Sequence, residues 1–495
     1  MFEGLVNAAG SARDAAAVGA WARVENAACA RRLAAAADVL DRAYAADGSA
    51  EREQWILDNH AAVTAEIAPA QNVSLGMAAA QLEVAVALRD RLPRVNAVFL
   101  TGAITYRMVT AIVTRTWLIQ DPQVLAQVDE QVAAHVSDWT TLSVERLHAA
   151  IDFWVDRFDP AAVRRAQTSS RERCIEIHNP KDGSGLASIE GYVYAHDGDL
   201  IDQRLDAMAA TVCEDDPRTV EQRRSDAMTA VFTGTQSLAC ACGSDECPAA
   251  GTTATAVVVH VVATEDTLSD PTPVRLDGYH PPEPDDQPAG PATSGPGYVI
   301  DSGAVMPAPV VADKLGTAQR QPVIHPGDAP PEKRRIPSAV LASFIRCRDL
   351  TCRFPGCGKP ATHCDIDHTI PYPRGATQAS NLKCLCRRHH LFKTFWRWRD
   401  FQHPDGTVDW IAPSGQRYTT YPGSRLLFPT LCRPTAPAVI DHSVEVLDDT
   451  VRCLKMPRRK RTRAQNRAHA IAAERKHNQP HADQRLAEHN QPPPF

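Results

Sequence analysis

A cluster of cysteine and histidine residues near the C-terminus constrains the fold of this chain more than any other feature. Between Cys352 and Lys393 the sequence holds a C-x4-C pair, an Asp-His dipeptide, an asparagine and a C-x2-H-H run. The residues are Cys352, Cys357, Asp367, His368, Asn381, Cys386, His389 and His390. With 14 cysteines in 495 residues the chain is too cysteine-poor for a disulfide scaffold, so the clustering indicates metal binding.

Two metal environments can be drawn from these residues. Three cysteines and one histidine form a soft set of four ligands, as a structural tetrahedral zinc requires. The set is Cys352, Cys357, Cys386 and His389. Cys384 or Cys364 could take its fourth position. Asp367 and His390 remain, and one carboxylate with one imidazole suits an open site where a divalent cation keeps waters and binds phosphate oxygen.

This arrangement resembles the HNH endonuclease family, whose motif is a ββα-metal hairpin. The resemblance implies that the Asp-His pair lies on the first strand, the asparagine in the hairpin loop and the last histidine on the helix. It further implies that His368 is the general base and that Asp367 and His390 bind the catalytic metal. In the family the asparagine, here Asn381, fixes the loop and can touch the metal.

The chain departs from the usual HNH form at the two knuckles that hold the structural zinc. The first knuckle is C-x4-C instead of C-x2-C, and His389 stands where a cysteine is usual. Three cysteines and one histidine still make a good zinc site. Asp365 lies two residues before Asp367, on the same strand face. It is either an outer partner of the metal site or a solvated charge, and we favour the solvated charge.

The chemistry of phosphodiester hydrolysis agrees with these residue types. A neutral imidazole with a pKa near about 6.5 accepts the proton of the attacking water, and a cation (Mg²⁺, Mn²⁺ or Zn²⁺) neutralises charge on the phosphate. Eleven Lys/Arg against four Asp between residues 346 and 400 attract the phosphate backbone of DNA. The best candidates for phosphate contacts are Arg348, Arg374, Arg387, Arg388 and Lys393.

Charge is distributed unevenly along the chain. The net charge is −6, yet residues 455–495 carry ten basic and three acidic side chains, and the motif region is basic as well. The remainder is acidic, so we expect only part of the chain to meet a polyanion.

No secretory signal is visible, and no window approaches the about 18–20 apolar residues of a membrane span. We therefore expect a cytoplasmic protein with no membrane partner, and its protein partners are unknown from the sequence.

Residues 14–330 predict a mostly helical domain with a small α+β extension. Alanine-rich stretches place apolar residues three and four apart, which is the helical period. Two short helices joined at Thr101-Gly102 are compatible with a helix-turn-helix, but we favour simple core packing. Short β-branched segments predict strands at 174–180, 187–199 and 254–263. Eight prolines among the 26 residues of 271–296 predict a flexible insertion.

Residues 337–430 predict a zinc-stapled ββα-metal module, which makes the whole chain α+β. Pro337 suits the first position of its leading helix. Residues 397–418 predict a two-stranded hairpin with Asp405-Gly406 at the turn and two core tryptophans, Trp398 and Trp410. The basic end, 455–495, predicts a disordered tail.

A second cysteine group follows a predicted helix in the middle of the chain. Cys240, Cys242 and Cys247 fall within eight residues. They could bind zinc with Cys213 or His260 as the fourth ligand, and a reduced, metal-free loop is an equally good interpretation.

Most of residues 14–330 resembles the domain of unknown function that precedes the HNH module in the 13E12 repeat family. The resemblance rests on GAITYRMVTAI, DPRTVEQRRSDAM and the CACGSDEC loop followed by VVVHVV, together with the HNH motif itself. It implies no function for the long N-terminal domain.

These observations favour a metal-dependent DNA endonuclease over two other classes of protein. One is a non-catalytic nucleic-acid-binding or regulatory protein with a decayed HNH zinc module. A zinc module that only binds needs the four zinc ligands but neither Asp367, His368 nor His390. In the other, the acidic body is a protein-interaction scaffold that inhibits or targets the nuclease.

Overall fold

The computed structural model combines a helical body, a small mixed middle region and a C-terminal α+β unit. It describes residues 2–164, 174–178, 186–193, 195–244, 247, 249, 260–272, 294–301, 303–315, 319–444 and 456–489. The mixture of helices and strands confirms the α+β class at this coarse level. No helix within these ranges is both long enough and apolar enough to cross a membrane.

The helical body is built from nine α-helices. They are α1 (Phe2–Ser11), α2 (Asp14–Ala46), α3 (Ala50–Gln54), α4 (Asn59–Ala70), α5 (Leu75–Asp90), α6 (Pro93–Leu100), α7 (Tyr106–Arg115), α8 (Pro122–His135) and α9 (Val144–Phe158). Side chains at the helical period, such as Leu33, Phe99, Ile112 and Val128, fill one apolar core. Helix α8 begins at an Asp-Pro pair, in which the Asp121 carboxylate caps the helix and Pro122 is its first residue.

The pair α6–α7 belongs to this core and not to an exposed helix-turn-helix. Phe99, Met108 and Ile112 are buried. The turn between the helices needs glycine, because Gly102 has a φ of +78° and a Cβ there would lie 2.1 Å from the Arg23 carbonyl oxygen. The favoured reading of this segment as core packing agrees with these contacts.

The middle region consists of small elements. Strands β1 (Cys174–His178) and β2 (Ser188–Tyr192) pair antiparallel, helices α10 (Ala195–Ala209) and α11 (Val220–Phe232) pack together, and α12 (Glu265–Leu268) and α13 (Ala308–Leu315) follow. Strands β3 (Val261–Val262), β4 (Gly297–Val299) and β5 (Val305–Met306) form one antiparallel sheet. Most of the predicted insertion 271–296 and most of the predicted strand 254–263 lie outside the described residues.

The C-terminal unit begins with α14 (Ala339–Asp349). Ser338 caps this helix, so Pro337 precedes the cap instead of occupying the first helical position. The remaining elements are β6 (Cys364–His368), β7 (Leu382–Cys386), α15 (Arg387–Phe395), β8 (Arg399–Gln402), β9 (Val408–Ile411), β10 (Arg417–Thr420) and α16 (Ser424–Leu427). The predicted hairpin is a three-stranded sheet in the order β10-β9-β8. Trp398 and Trp410 are buried, as core residues are.

The prediction of a disordered tail was wrong for the part of it that the structure describes. Residues Arg463–His489 form a long helix, α17, that packs on the helical body. Ile471 enters the apolar core, and the Arg475 guanidinium pairs with Asp159 at 2.6 Å. Composition alone suggested a solvated chain, whereas one apolar position and a few specific ion pairs attach it to the body.

Candidate active site and metal centre

The candidate site is built on the hairpin β6–β7 and the helix α15. The two strands pair antiparallel, with Asp367 opposite Lys383 and Cys364 opposite Cys386. Alternation along a strand puts Asp365 and Asp367 on the same face. Helix α15 starts directly after β7 and packs against both strands of the hairpin.

The four predicted structural ligands come together. One donor atom from each of Cys352, Cys357, Cys386 and His389 lies within 4.8 Å of all the others. His389 Nδ1 is 3.2 Å from Cys386 Sγ and 3.4 Å from Cys352 Sγ. The Phe354 ring stacks on the His389 imidazole at 4.0 Å and fixes its plane. Three thiols and one imidazole are the donor set of a structural zinc, so the group can bind such a metal.

The two alternative ligands, Cys364 and Cys384, do not belong to this group. Cys364 Sγ donates to the Pro360 carbonyl at 3.3 Å, and Cys384 lies fully buried beside Ile345. The fourth position therefore belongs to His389.

The next residue on α15, His390, faces a different site. Neighbouring residues on a helix point about 100° apart, so the adjacent histidines can serve separate groups. His390 Nε2 lies 3.3 Å from Asp367 Oδ1, and His390 Nδ1 lies 3.0 Å from Asp365 Oδ2. The interpretation of Asp365 as a merely solvated charge was wrong, because this carboxylate orients the imidazole.

Two lysines and a second aspartate complete the surroundings of Asp367. Asp367 Oδ2 accepts from Lys383 Nζ at 2.8 Å and from Lys393 Nζ at 2.7 Å. Both lysines also pair with Asp400, at 2.5 and 3.2 Å. Burial alone would raise the pKa of Asp367, but the charges of Lys383, Lys393 and His390 outweigh burial and hold that pKa well below its usual value.

His368 ends β6, the first strand of the hairpin, and is partly buried. Its Nε2 lies 2.9 Å from Thr377 Oγ1, and this hydroxyl can donate to the Arg335 carbonyl at 3.4 Å. In that arrangement Nε2 donates to the hydroxyl, and the lone pair of Nδ1 is free in the neutral imidazole. Burial lowers the pKa of His368 to about 4, against the opposing charge of Asp367, so the ring is neutral near pH 7.

Asn381 holds the loop that connects the two strands. Its Nδ2 donates to the carbonyls of Ile370 and Ala376 at 3.0 and 2.9 Å, and its Oδ1 accepts from Ile370 N at 2.8 Å. A Cβ at Gly375 would approach Asn381 Nδ2 to 2.6 Å, so the loop requires glycine there. The amide of Asn381 thus holds the loop through three hydrogen bonds, as expected for a residue that fixes it.

These groups line an open cavity of about 1190 Å³. Asp367, His368, His390 and Asp400 lie on its wall, together with five basic side chains. The basic residues are Arg335, Arg346, Arg374, Lys393 and Arg399. The cavity thus combines an acidic centre with a cationic surround, which suits an anion held through a metal.

The five basic residues predicted to contact phosphate lie in different surroundings. The prediction for Arg348 was wrong, because this residue is 1% exposed and donates to the carbonyls of Ala379 and Leu382 at 2.9 and 2.8 Å. Lys393 lines the cavity, but its Nζ is held by Asp367. Arg374 lines the cavity as well. Neither Arg387 nor Arg388 lines the cavity: Arg387 is exposed near Asp365, and Arg388 lies beside Phe392.

Sequence reasoning missed three cavity arginines, Arg335, Arg346 and Arg399. Arg335 ends the Lys-Arg-Arg run that precedes α14, and Arg399 begins β8 directly after the helix. The basic run was a usable signal for Arg335. Nothing in the spacing reveals that α14 turns Arg346 towards the cavity.

Comparison with known proteins supplies a family for most of the chain. The family described as "Domain of unknown function (DUF222)" matches residues 20–349, which extends through α14. The uncharacterized protein Rv2100 of Mycobacterium tuberculosis is 46% identical over 500 residues, covering 97% of this chain and 89% of that protein. Uncharacterized protein Rv3776 of the same organism is 45% identical, covering 93% and 89%. No solved structure matches significantly.

Proposed function

We propose that this chain, which belongs to the DUF222 family, is a metal-dependent HNH-type endonuclease that hydrolyses phosphodiester bonds in DNA. The observation that carries the proposal is the convergence of Asp367 Oδ1 and His390 Nε2, 3.3 Å apart, in a cavity that His368 also lines. Structural zinc at the cysteine cluster would hold the hairpin and helix in this arrangement.

The residues present fit an exchangeable divalent cation. Two neighbouring ligands of a cation bound at about 2.1 Å lie roughly 3.0–3.4 Å apart, which is the separation of Asp367 Oδ1 and His390 Nε2. One carboxylate and one imidazole leave most of the coordination shell for water and phosphate oxygen. Mg²⁺, Mn²⁺ and Zn²⁺ all accept such ligands. When bound, the cation would stabilise negative charge on the phosphate and on the leaving oxygen.

The chain's own residues supply the proton transfer and the positioning. His368 Nδ1 accepts the proton of the attacking water, because Nε2 is occupied by Thr377. Asn381 keeps the loop behind His368 in place, and Asp365 keeps His390 turned towards Asp367. Arg374, Arg335 and Arg399 surround the place where the polyanion would lie.

A second candidate function has one specific observation in its favour. The ammonium groups of Lys383 and Lys393 both bind Asp367 Oδ2, so the carboxylate is already neutralised without a cation. Such a site could serve a protein that binds nucleic acid through its cavity arginines and does not cut it. The two candidates differ in turnover and agree in DNA binding.

Incubation of supercoiled plasmid with the full chain and Mg²⁺, Mn²⁺ or Zn²⁺ tests the proposal. We expect nicking that a chelator abolishes and that His368→Ala lowers by about 10²–10⁴-fold. The matched control is His403→Ala, because His403 also pairs with a neighbour, Asp409 at 2.8 Å, but lies in the turn between β8 and β9, outside the cavity. It should cut at the wild-type rate.

Two further measurements separate the outcomes. DNA affinity and zinc content should be the same in wild type and His368→Ala, which shows that the variant is folded. Tight DNA binding without metal-dependent cutting by the wild type would support the second candidate, and equal cutting by His368→Ala would remove His368 from the role of base.

A further inference from the structure

A second group of four cysteines comes together at the end of the helical hairpin α10–α11. Cys213 follows α10, and Cys240, Cys242 and Cys247 follow α11. All four Sγ atoms lie within 4.8 Å of one another, and Cys213 Sγ is 3.5 Å from Cys240 Sγ. The sequence brought three of these residues close together but did not determine the fourth.

The structure decides between the two candidates for the fourth position. Cys213 joins the three loop cysteines, although 27 residues separate it from Cys240. His260 turns instead to Asp301, with 3.4 Å between Nδ1 and Oδ2. The group is therefore made of four thiols.

The two cysteine-bearing segments are tied together by polar contacts that involve no thiol. The buried carboxylate of Asp216 accepts from Ala241 N at 2.9 Å and from the Arg218 guanidinium at 2.7 Å. Arg218 also donates to the Ala239 carbonyl at 2.7 Å, and Leu238 N donates to Thr211 Oγ1 at 3.0 Å. The backbone is thus held so that the four thiols face one another before any ligand arrives.

The apolar core beneath this loop is small. Of the described residues between 195 and 249, those that are apolar and buried are Met208, Ala209, Ala227 and Leu238. A unit with so little buried apolar surface usually needs a cross-link or a metal to stay folded. The thiols are the groups available for that purpose.

We infer that Cys213, Cys240, Cys242 and Cys247 bind a second structural Zn²⁺. Four thiolates at about 2.3 Å from a tetrahedral ion lie about 3.8 Å apart, close to the observed 3.5 Å between Cys213 and Cys240. A disulfide would need about 2.05 Å between one pair and would leave two thiols unused. This inference is independent of the proposed nuclease activity.

Zinc stoichiometry of the full chain tests the inference. After a brief chelator wash to remove weakly bound ions, we expect about two zinc ions per wild-type chain. Cys240→Ser should lose one of them, and Cys352→Ser should lose the other. The matched control is Cys174→Ser, which alters an exposed cysteine on β1 outside both groups and should retain two.

Cobalt substitution of the wild type provides a test that no unstable variant can obscure. Two tetrahedral thiolate sites should give intense sulfur-to-cobalt charge-transfer absorption that saturates at about two Co²⁺ per chain. One zinc per wild-type chain, unchanged zinc content in Cys240→Ser, or a Cys213–Cys240 disulfide found by mass spectrometry of the native protein would each overturn the assignment.

Discussion

The helical body and the C-terminal unit bury charged side chains to different extents. The core of the helical body is made of aliphatic and aromatic side chains such as Leu33, Phe99 and Ile112. The C-terminal unit buries charged side chains among its apolar ones, and Arg348, Asp349, Arg353 and Lys383 are all at most 2% exposed. Burying charge costs free energy unless every charge is paired.

The location of these charges explains why the C-terminal unit carries them. Asp349 accepts from Cys384 N at 2.8 Å and so attaches α14 to β7. Lys383 on β7 pairs with the Asp367 carboxylate at 2.8 Å. An apolar core would fix the helices equally well but would not hold a carboxylate in one orientation. Apolar packing therefore dominates the helical body, whereas the buried charges of the C-terminal unit hold polar groups in fixed positions.

Replacing Asp349 with alanine should cause the largest loss of stability, and it should do so in the C-terminal unit. Asp349→Ala leaves the guanidinium groups of Arg348 and Arg353 buried without their carboxylate, at a cost of about 3–5 kcal/mol in the free energy of unfolding. Ile112→Val in the helical body should cost about 0.5–1.5 kcal/mol. In a Cys240→Ser background, which lacks the other inferred zinc, the urea concentration at which zinc becomes accessible to a chromophoric chelator reports on the C-terminal unit, and far-UV circular dichroism reports mainly on the body. Equal, small shifts for both variants would contradict the comparison.

Lys383→Met should have a smaller effect that depends on pH. Lys393 still pairs with Asp367 and Asp400 at 2.7 and 3.2 Å, so we expect a loss of about 3 kcal/mol at pH 8. Without Lys383 the pKa of the Asp367 carboxyl rises in the folded state, so the folded protein takes up a proton there before the unfolded chain does as the pH falls. The deficit relative to wild type should therefore narrow between pH 8 and pH 5. Lys333→Met, at an exposed position, should show neither the loss nor the pH dependence.

The grouping of the four candidate zinc ligands could be predicted because they occur as two local pairs, C-x4-C and C-x2-H, which the HNH resemblance joins. Cys386 and His389 are separated by one turn of α15, and Asp367 and His368 by a single peptide bond. What could not be predicted depends on long-range packing. The burial of Arg348 follows from its carbonyl partners at Ala379 and Leu382, more than 30 residues away, and no local pattern distinguishes it from an exposed arginine.

The same distinction holds for the fold. Helices of the body follow from their apolar period and their caps, whereas the docked helix α17 depends on partners far along the chain. Arg463 on α17 pairs with Asp58 at 3.2 Å across 405 residues. A tail rich in charge has the composition of a disordered segment, and only the position of its partners makes it a helix of this fold.

Asp365→Asn tests whether the Asp365 carboxylate positions His390 or only forms a surface ion pair with it. If Asp365 orients His390 for the proposed cation, its loss should lower the affinity for that cation by about 10–100-fold while the urea midpoint stays the same. Mn²⁺ binding followed by electron paramagnetic resonance measures this directly. Asp409→Asn alters a similar carboxylate–histidine pair outside the cavity and should leave Mn²⁺ affinity unchanged. Equal affinities in the two variants would show that Asp365 has no such role.

The smallest effect is expected for single arginines at the rim, where it distinguishes the cavity from the rest of a basic surface. Arg374 lines the cavity and Arg388 does not, although the sequence predicted both as phosphate contacts. Arg374→Ala should weaken DNA binding a few-fold and reduce the slope of log affinity against log salt by about 0.9, because one phosphate contact is lost. Arg388→Ala should change neither quantity. Fluorescence anisotropy with a labelled duplex at several salt concentrations measures both, and an equal loss in the two variants would mean that DNA does not lie along this cavity.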